Sequence, residues 1–256
     1  MLIIYYIILL LLVVLIIHAL HYKTNHLISI VIPCIPRDIK YLDRLLNSIK
    51  NQTYLPHEVI IALSGISQKE SRLLETKLKT PKFPIYISGT ATKKYASENR
   101  NRGAYYATGD IISFMDADDT MHPEKLFFVN HYFNVYHPRV FIHGYSIGIN
   151  NIVKLPKKHN IMFGKKIYDL AKTERGLLVD FNEEKWWISE KMHHGHVSIS
   201  KDIVKNVKYR EGRQFRRGQD SIFVRDILKH YGRNNSTAVF VDLPLSQYMP
   251  SYLQST

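Results

Sequence analysis

The chain has 256 residues, 45% of them apolar and 22% charged, which excludes a disordered chain and is enough for one domain of ordinary size plus an appendage. A formal net charge of +13 points to anionic ligands, nucleic acid or an anionic membrane surface; the basic residues are scattered, with no zinc-finger spacing or RNA-binding aromatic signature, so no nucleic-acid partner is expected. The single cysteine, Cys34, excludes an intrachain disulfide and a cysteine-based zinc site.

Residues 2–20 carry no charge and are apolar except for Tyr5, Tyr6 and His18. As a helix they would be roughly 28 Å long, the thickness of a bilayer's hydrocarbon core, so they read as a single-pass membrane anchor. A cleaved signal peptide is the competing reading, but no basic residue precedes the run and it is longer than a usual apolar signal core. Lys23, Arg37 and Lys40 follow the span and none precedes it, which favours a cytoplasmic domain by the positive-inside bias while leaving the side of the membrane open. The expected division is 1–26 as anchor and short stalk and 27–256 as the domain, itself split into 27–122 and 123–256.

Residues 27–33 form a β-branched run stopped by Pro33, the pattern of a buried strand. Asp38 is placed to cap a helix whose Ile39, Leu42, Leu45, Leu46 and Ile49 fall at helical spacing. Residues 58–63 repeat the strand pattern, a charged helical segment runs through Leu73 and Leu74, and 84–87 make a third strand. Ser97 or Asn99 opens the next helix, which ends near Ala107, and 111–115 make a fourth strand. Four strands alternating with helices predict a mostly parallel sheet flanked by helices on both faces. A helix through Leu126, Phe127 and Phe128, a strand over 139–144, helices over 201–207 and 219–229, and a last strand over 236–245 complete the pattern. Residues 150–191 are less regular, contain the pair Trp186 and Trp187, and are the candidate acceptor region; paired tryptophans equally suit a core or a loop staple.

The fourth strand ends abruptly in Asp116, Asp118 and Asp119, with Pro123 suited to a first helical turn. Ligands of open α/β sheets collect beyond the carboxyl ends of the strands, and crowded carboxylates there repel unless a hard divalent cation such as Mg²⁺ or Mn²⁺ joins them, with a bound diphosphate as its natural partner. The structural alternative makes Asp119 or Thr120 a helix cap.

Several stretches together resemble the family 2 glycosyltransferases of the GT-A fold. Ser29 to Pro33 is similar to that family's first strand, Leu45 to Thr53 to its first helix and turn, and Asn99-Arg100-Asn101-Arg102-Gly103 to its Ala-Arg-Asn-x-Gly segment. Phe114 to Asp119 resembles its Phe-x-Asp-Ala-Asp-Asp, and Gly218-Gln219-Asp220 its Gly-Glu-Asp. The resemblance implies a GT-A, Rossmann-like α/β domain and an inverting, metal-dependent transfer of a sugar from a nucleoside-diphosphate sugar, UDP-linked in the first instance, to a hydroxyl of a glycan, protein or lipid. It implies donor contacts from Pro33, Cys34, Ser64, Arg100, Asn101, Asp116 and Ala117, a metal on Asp116 and Asp118, and Asp220 as general base. Trp186, Trp187, Gly195, His196 and Gln219 are then candidates for the acceptor, and Arg216 and Arg217 for phosphate charge.

Three positions depart from the family pattern. Leu63, Ser64 and Gly65 stand where an acidic residue meets the nucleobase, which leaves uracil and guanine both open; Gln219 replaces a glutamate; and Gln247-Tyr248-Met249 stands where relatives offer a metal-binding histidine, a loss that His194 or His196 could offset. Two other readings fit parts of the sequence: a glycosyltransferase-like protein that binds without turnover, and a haloacid-dehalogenase-like phosphatase using Asp116 as nucleophile and Asp118 as acid/base. Neither needs Asp220.

Overall fold

The structure, a computed structural model, describes residues 6–13, 25–148, 155, 161–163, 194–216, 218–232 and 237–249. Trp186, Trp187, Arg217 and most of the candidate acceptor region lie outside the described residues. Of the expected anchor only 6–13 is described, as helix, and among the described residues no helix is long and apolar enough to cross a membrane.

The domain opens with β1 (Ile28–Cys34), a 3-10 turn (Pro36–Tyr41), α1 (Leu42–Lys50), β2 (Glu58–Ser64), α2 (Gln68–Leu78), β3 (Ile85–Thr90), α3 (Ala96–Tyr106) and β4 (Ile111–Phe114). Every residue of β1 and β2 is buried, as expected of central strands covered on both faces. Leu42, Leu45, Leu46 and Ile49 form the buried stripe of α1. Asp38 does not cap this helix: the chain first makes the 3-10 turn, for which Pro36 is suited, and Asp38 instead pairs with Arg37 at 2.8 Å. Capping boxes open α2, from Ser67 and Glu70, and α3, where Glu98 accepts from the Tyr95 backbone N–H at 2.8 Å. The α3 start thus falls at Ala96, ahead of either residue expected to open it.

Pairing of β1 with β2 and β4, and of β2 with β3, is parallel throughout. Helix α3 presses on this layer through Gly103, where an added Cβ would come within 2.4 Å of Val31 Cγ1; only glycine permits that approach. Glu58 ties the amino-terminal end together, accepting from Ser29 Oγ at 2.6 Å and from the backbone N–H and hydroxyl of Thr108 at 2.6 and 2.7 Å. Burial alone would raise its pKa, but these hydrogen bonds outweigh it and the pKa is lowered.

The second half departs from the mostly parallel sheet expected. It comprises β5 (Thr120–Met121), α4 (Lys125–Tyr136), β6 (Val140–Ile147), β7 (Ile161–Phe163), a 3-10 turn (His194–His196), β8 (Ser198–Ser200), α5 (Ile203–Asn206), α6 (Gln219–Tyr231) and β9 (Ala238–Tyr248). The strand order is β3-β2-β1-β4-β8-β6-β9-β5, with β7 paired to β9. Strand β8 is antiparallel to both β4 and β6, β6 and β9 are parallel, and β5 and β7 are antiparallel to β9. Long connections between the strands of this half leave direction free, so local periodicity could not assign it.

This topology brings three distant segments to one end of β4. The Phe114 backbone N–H donates to the Val197 carbonyl at 3.0 Å, which sets the His194–His196 turn beside Asp116. Pairing of Thr120 with Gln247 and of Met121 with Ser246 carries the end of β9 to the same place. A register shift between His143 and Tyr145 lets β6 follow β9 around that bend.

Candidate active site

Four carboxylates face a small set of buried cations at the carboxyl end of β4. Arg100, on α3 and 2% exposed, lies at the centre. Its Nη2 donates to Asp116 Oδ1 at 2.6 Å, and its Nη1 is 2.8 Å from Asp220 Oδ1, an ion pair without hydrogen-bond alignment. Beneath it lies Tyr209, 5.3 Å from the guanidinium, stacked on Phe223 at 3.9 Å. Phe223 is one turn beyond Asp220 on α6, so the packing that seats the Tyr209 ring also sets Asp220. Burial opposes the charge on Arg100, but Asp116 and Asp220 outweigh it and its pKa is raised.

Asp220 stands in the first turn of α6, after Gly218 in the left-handed conformation (φ 69°), and is not the helix cap. Burial raises its pKa, Arg100 opposes the rise and Asp116 adds to it. A carboxylate tuned upward yet held by a guanidinium is suited to accept a proton near neutrality.

The second cluster joins Asp116, Asp119 and His196, which offer ligand atoms within 4.8 Å of one another. Asp119 does not cap a helix: it is 1% exposed, and its Oδ1 accepts from the Met249 backbone N–H at 2.7 Å. His196 Nε2 is 2.9 Å from Asp119 Oδ2 and 3.9 Å from Asp116 Oδ2, while Nδ1 meets Ser246 Oγ at 2.7 Å. The serine fixes the ring so that Nε2 addresses the carboxylates. Burial, Asp116 and Asp118 together push the Asp119 pKa well up. Two carboxylates and one imidazole at this spacing make a donor set that suits Mn²⁺ or Mg²⁺. Asp118, expected as a metal ligand, is half-buried beside this trio, and Arg44 donates to its backbone carbonyl.

Lys125 lies behind the acids, fully buried at the start of α4, with Nζ 3.3 Å from the His196 carbonyl and 3.5 Å from Met115 Sδ. Burial pushes it down to about 7, although Asp119 and Asp116 favour its charge.

Of the other expected donor residues, Cys34 and Ser64 are brought together by Asn99, whose Nδ2 donates to the Cys34 carbonyl at 3.3 Å and to Ser64 Oγ at 3.0 Å. Pro33 is buried near the end of β1, and Ala117 is buried in the turn that follows β4. Asn101 stands apart: its amide clamps the Tyr209 backbone, with bonds of 2.8 and 2.9 Å, and meets Glu211. Gly195 is buried in the turn that carries His196, and Gln219 opens α6 beside Asp220. Sequence reasoning passed over Asn99, Arg44, Lys125, Tyr209 and Ser246 as site residues. Only Asn99, within the Arg100 segment, carried a signal; the others reach the site through pairings remote in sequence.

The crowded carboxylates stand beyond the carboxyl end of a central strand of an α/β sheet, where the ligands of such folds collect. The profile of glycosyl transferase family 2 matches residues 29–231, and the chain belongs to that family. It is similar to an uncharacterized glycosyltransferase of Haemophilus influenzae, 34% identical over 99 residues, covering 39% of this chain and 32% of that one. It is also similar to the amylovoran biosynthesis glycosyltransferase AmsB of Erwinia amylovora, 32% identical over 38% of this chain and 33% of the other. The match thus spans about a third of the length of these relatives. Among solved structures, Staphylococcus aureus TarS (residues 1–349) in complex with UDP superposes with a TM-score of 0.60 at 16% identity, covering 88% of this chain and 61% of that one. A Pyrobaculum calidifontis mannosyltransferase with GDP-Man and Mn²⁺ gives 0.54 at 10% identity, covering 88% and 57%. At such identities the likeness establishes the fold, which is consistent with GT-A.

Proposed function

We propose that the protein is an inverting glycosyltransferase that moves a sugar, a hexose in the first instance, from a UDP- or GDP-linked donor to a hydroxyl acceptor. The observation that carries this reading is the convergence of Asp116 and Asp220, 104 positions apart by their numbers, on the one guanidinium of Arg100. Asp220 takes the acceptor's proton as its oxygen bonds to the anomeric carbon, and the bond from that carbon to the diphosphate oxygen breaks with its electron pair. Attack from the face opposite the leaving group inverts the centre. Arg100 holds Asp220 in place and keeps positive charge beside the donor. Asp116, Asp119 and His196, with Asp118 at their side, would hold the divalent cation, whose chemistry is to neutralise the leaving diphosphate.

UDP in one structural neighbour and GDP-Man with Mn²⁺ in another support a nucleoside-diphosphate donor without choosing the base. His196 supports the metal reading because it supplies the imidazole absent from the Gln247-Tyr248-Met249 segment. The phosphatase reading has no supporting observation: its acidic motif follows a first strand, whereas here it follows β4.

The test is a calorimetric titration of the full chain with UDP and GDP, with and without Mn²⁺, on the parent and on Asp118→Asn. Binding by one nucleotide that needs Mn²⁺ and is lost on Asp118→Asn is the expected result. A folded chain that binds neither nucleotide with or without metal would overturn the donor assignment.

A further inference from the structure

A second cavity, of about 640 Å³, lies between α3 and the segment that follows β8. Lys94, Arg102, Lys201, Lys205, Lys208 and Tyr105 stand around it, and buried Phe114, Val207 and Phe223 contribute apolar wall. Two acids, Glu98 and Glu211, also line it, and Glu98 is already paired with Lys94 at 2.9 Å. The remaining charge is strongly positive. Lys201 and Lys205 lie four residues apart across α5, and Lys205 and Lys208 are exposed to water.

The inner wall of this cleft reaches Tyr209, which lies beneath Arg100, but its lysine-bearing end lies toward the opposite end of β4. The Lys201 backbone N–H donates to the Asp110 carbonyl at 2.8 Å, just before β4, whereas Asp116 lies past the far end of that strand, up to ~20 Å away at strand rise. The chain also enters the domain at this end: the Leu27 backbone N–H donates to Asp110 Oδ2 at 3.0 Å, and the Ile111 N–H donates to the Leu27 carbonyl at 3.2 Å. Tyr105 and Tyr106, at the end of α3, are 80% and 54% exposed there. Upstream of that entry, the side chains of residues 6–13, all apolar or tyrosine, are 43 to 66% exposed.

From these juxtaposed features we infer that the cleft seats an anionic phospholipid headgroup, so that the domain rests on a membrane through the amino-terminal ends of its strands while the Asp116 cluster faces away. Lysines supply the counter-charge, tyrosines sit at the headgroup level, and the apolar wall accepts the first carbons of the lipid. Charge complementarity and the exposed apolar side chains of residues 6–13 select lipid as the occupant. The inference is independent of the transfer chemistry.

The full chain carrying Tyr105→Cys is labelled with an environment-sensitive fluorophore and mixed with vesicles of phosphatidylcholine, with or without phosphatidylglycerol. Cys34 does not compete for label, being 2% exposed with its thiol pushed up by burial to about 12. A blue shift, with quenching by lipid-borne quenchers, is expected on anionic vesicles only. Combined Lys201→Gln, Lys205→Gln and Lys208→Gln should weaken the response by on the order of a hundredfold, at roughly fivefold per lysine charge removed. Lys69→Glu with Lys77→Glu, at exposed positions on α2, should leave it within about threefold, the scale of ordinary context effects. An equal response on neutral vesicles, indifference to the three lysine substitutions in a folded chain, or displacement by inorganic phosphate at matched ionic strength would each overturn the headgroup assignment. Asp118→Asn should keep the full response, which separates failure here from failure of the donor assignment.

Discussion

The two halves of the sheet are built on opposite principles. In the β3-β2-β1-β4 layer each strand is joined to the next in sequence by a helix and all pairing is parallel, with β1, β2 and β3 side by side in chain order and β4 crossing back to pair with β1. From β8 to β5 the order is scrambled and the directions are mixed. The first half contributes Arg100, Asp116, Asp118 and Asp119, and the second contributes His196, Asp220, Ser246 and Met249. Neither half alone holds all of the groups gathered at the end of β4. On the proposed reading, the first half would carry the donor end, and the second would carry the groups that complete the metal set and take the proton.

The largest effect expected is on the second half's own contribution. Asp220→Asn should lower transfer by ~10²–10⁴-fold, measured as turnover, while nucleotide binding by calorimetry is retained. Because burial raises the Asp220 pKa, parent activity should fall with acidification at a pH above that of an ordinary aspartate, and a limb at the ordinary aspartate position would contradict the assigned base. His196→Ala should weaken Mn²⁺-dependent nucleotide binding by at least ~10–100-fold, the range for even an outer partner of a metal ligand, and leave metal-free binding unchanged. Equal loss with and without Mn²⁺ would remove His196 from the metal set.

Substitutions in the packed layer of the first half, away from the carboxylates, should act on stability. Gly103→Ala places a methyl against Val31, at a cost of ~1–3 kcal/mol, seen as a melting temperature ~2–12 °C lower. The joint between the halves should respond to pH. Lys125 has a folded pKa of about 7, below its unfolded value, so between about 7 and the usual lysine range the unfolded chain binds more protons and stability rises with pH. Lys125→Met removes that dependence. Its melting temperature should therefore exceed the parent's most at or below pH 7, with the difference shrinking as pH rises toward 10.

Legibility followed the same division. The continuous apolar runs of β1 and β2 and the spacing of Leu42, Leu45, Leu46 and Ile49 placed the first half's elements, because local sequence decides a buried strand and an amphipathic helix. Helix starts were less legible, since Asp38 looked like a cap and pairs with its neighbour Arg37 instead. In the second half the lengths of elements were approximate and their directions unreadable. A helix expected over 201–207 is only Ile203–Asn206, and the last strand runs on to Tyr248, where its end meets Asp119.

By itself the sequence determined the chemistry at hand: an acidic cluster ending a strand, a basic and aspartate-bearing partner segment, and a fold class with a parallel core. Those are local properties, set by residue type and period. That Arg100 joins Asp116 to Asp220, and that His196, one of two histidines the sequence offered, stands against Asp119, were decided by tertiary structure alone. The antiparallel insertion of β8 beside β4 and the return of β9 to β5 bring together residues up to 130 positions apart, and no local pattern encodes the direction of a strand joined by a long connection.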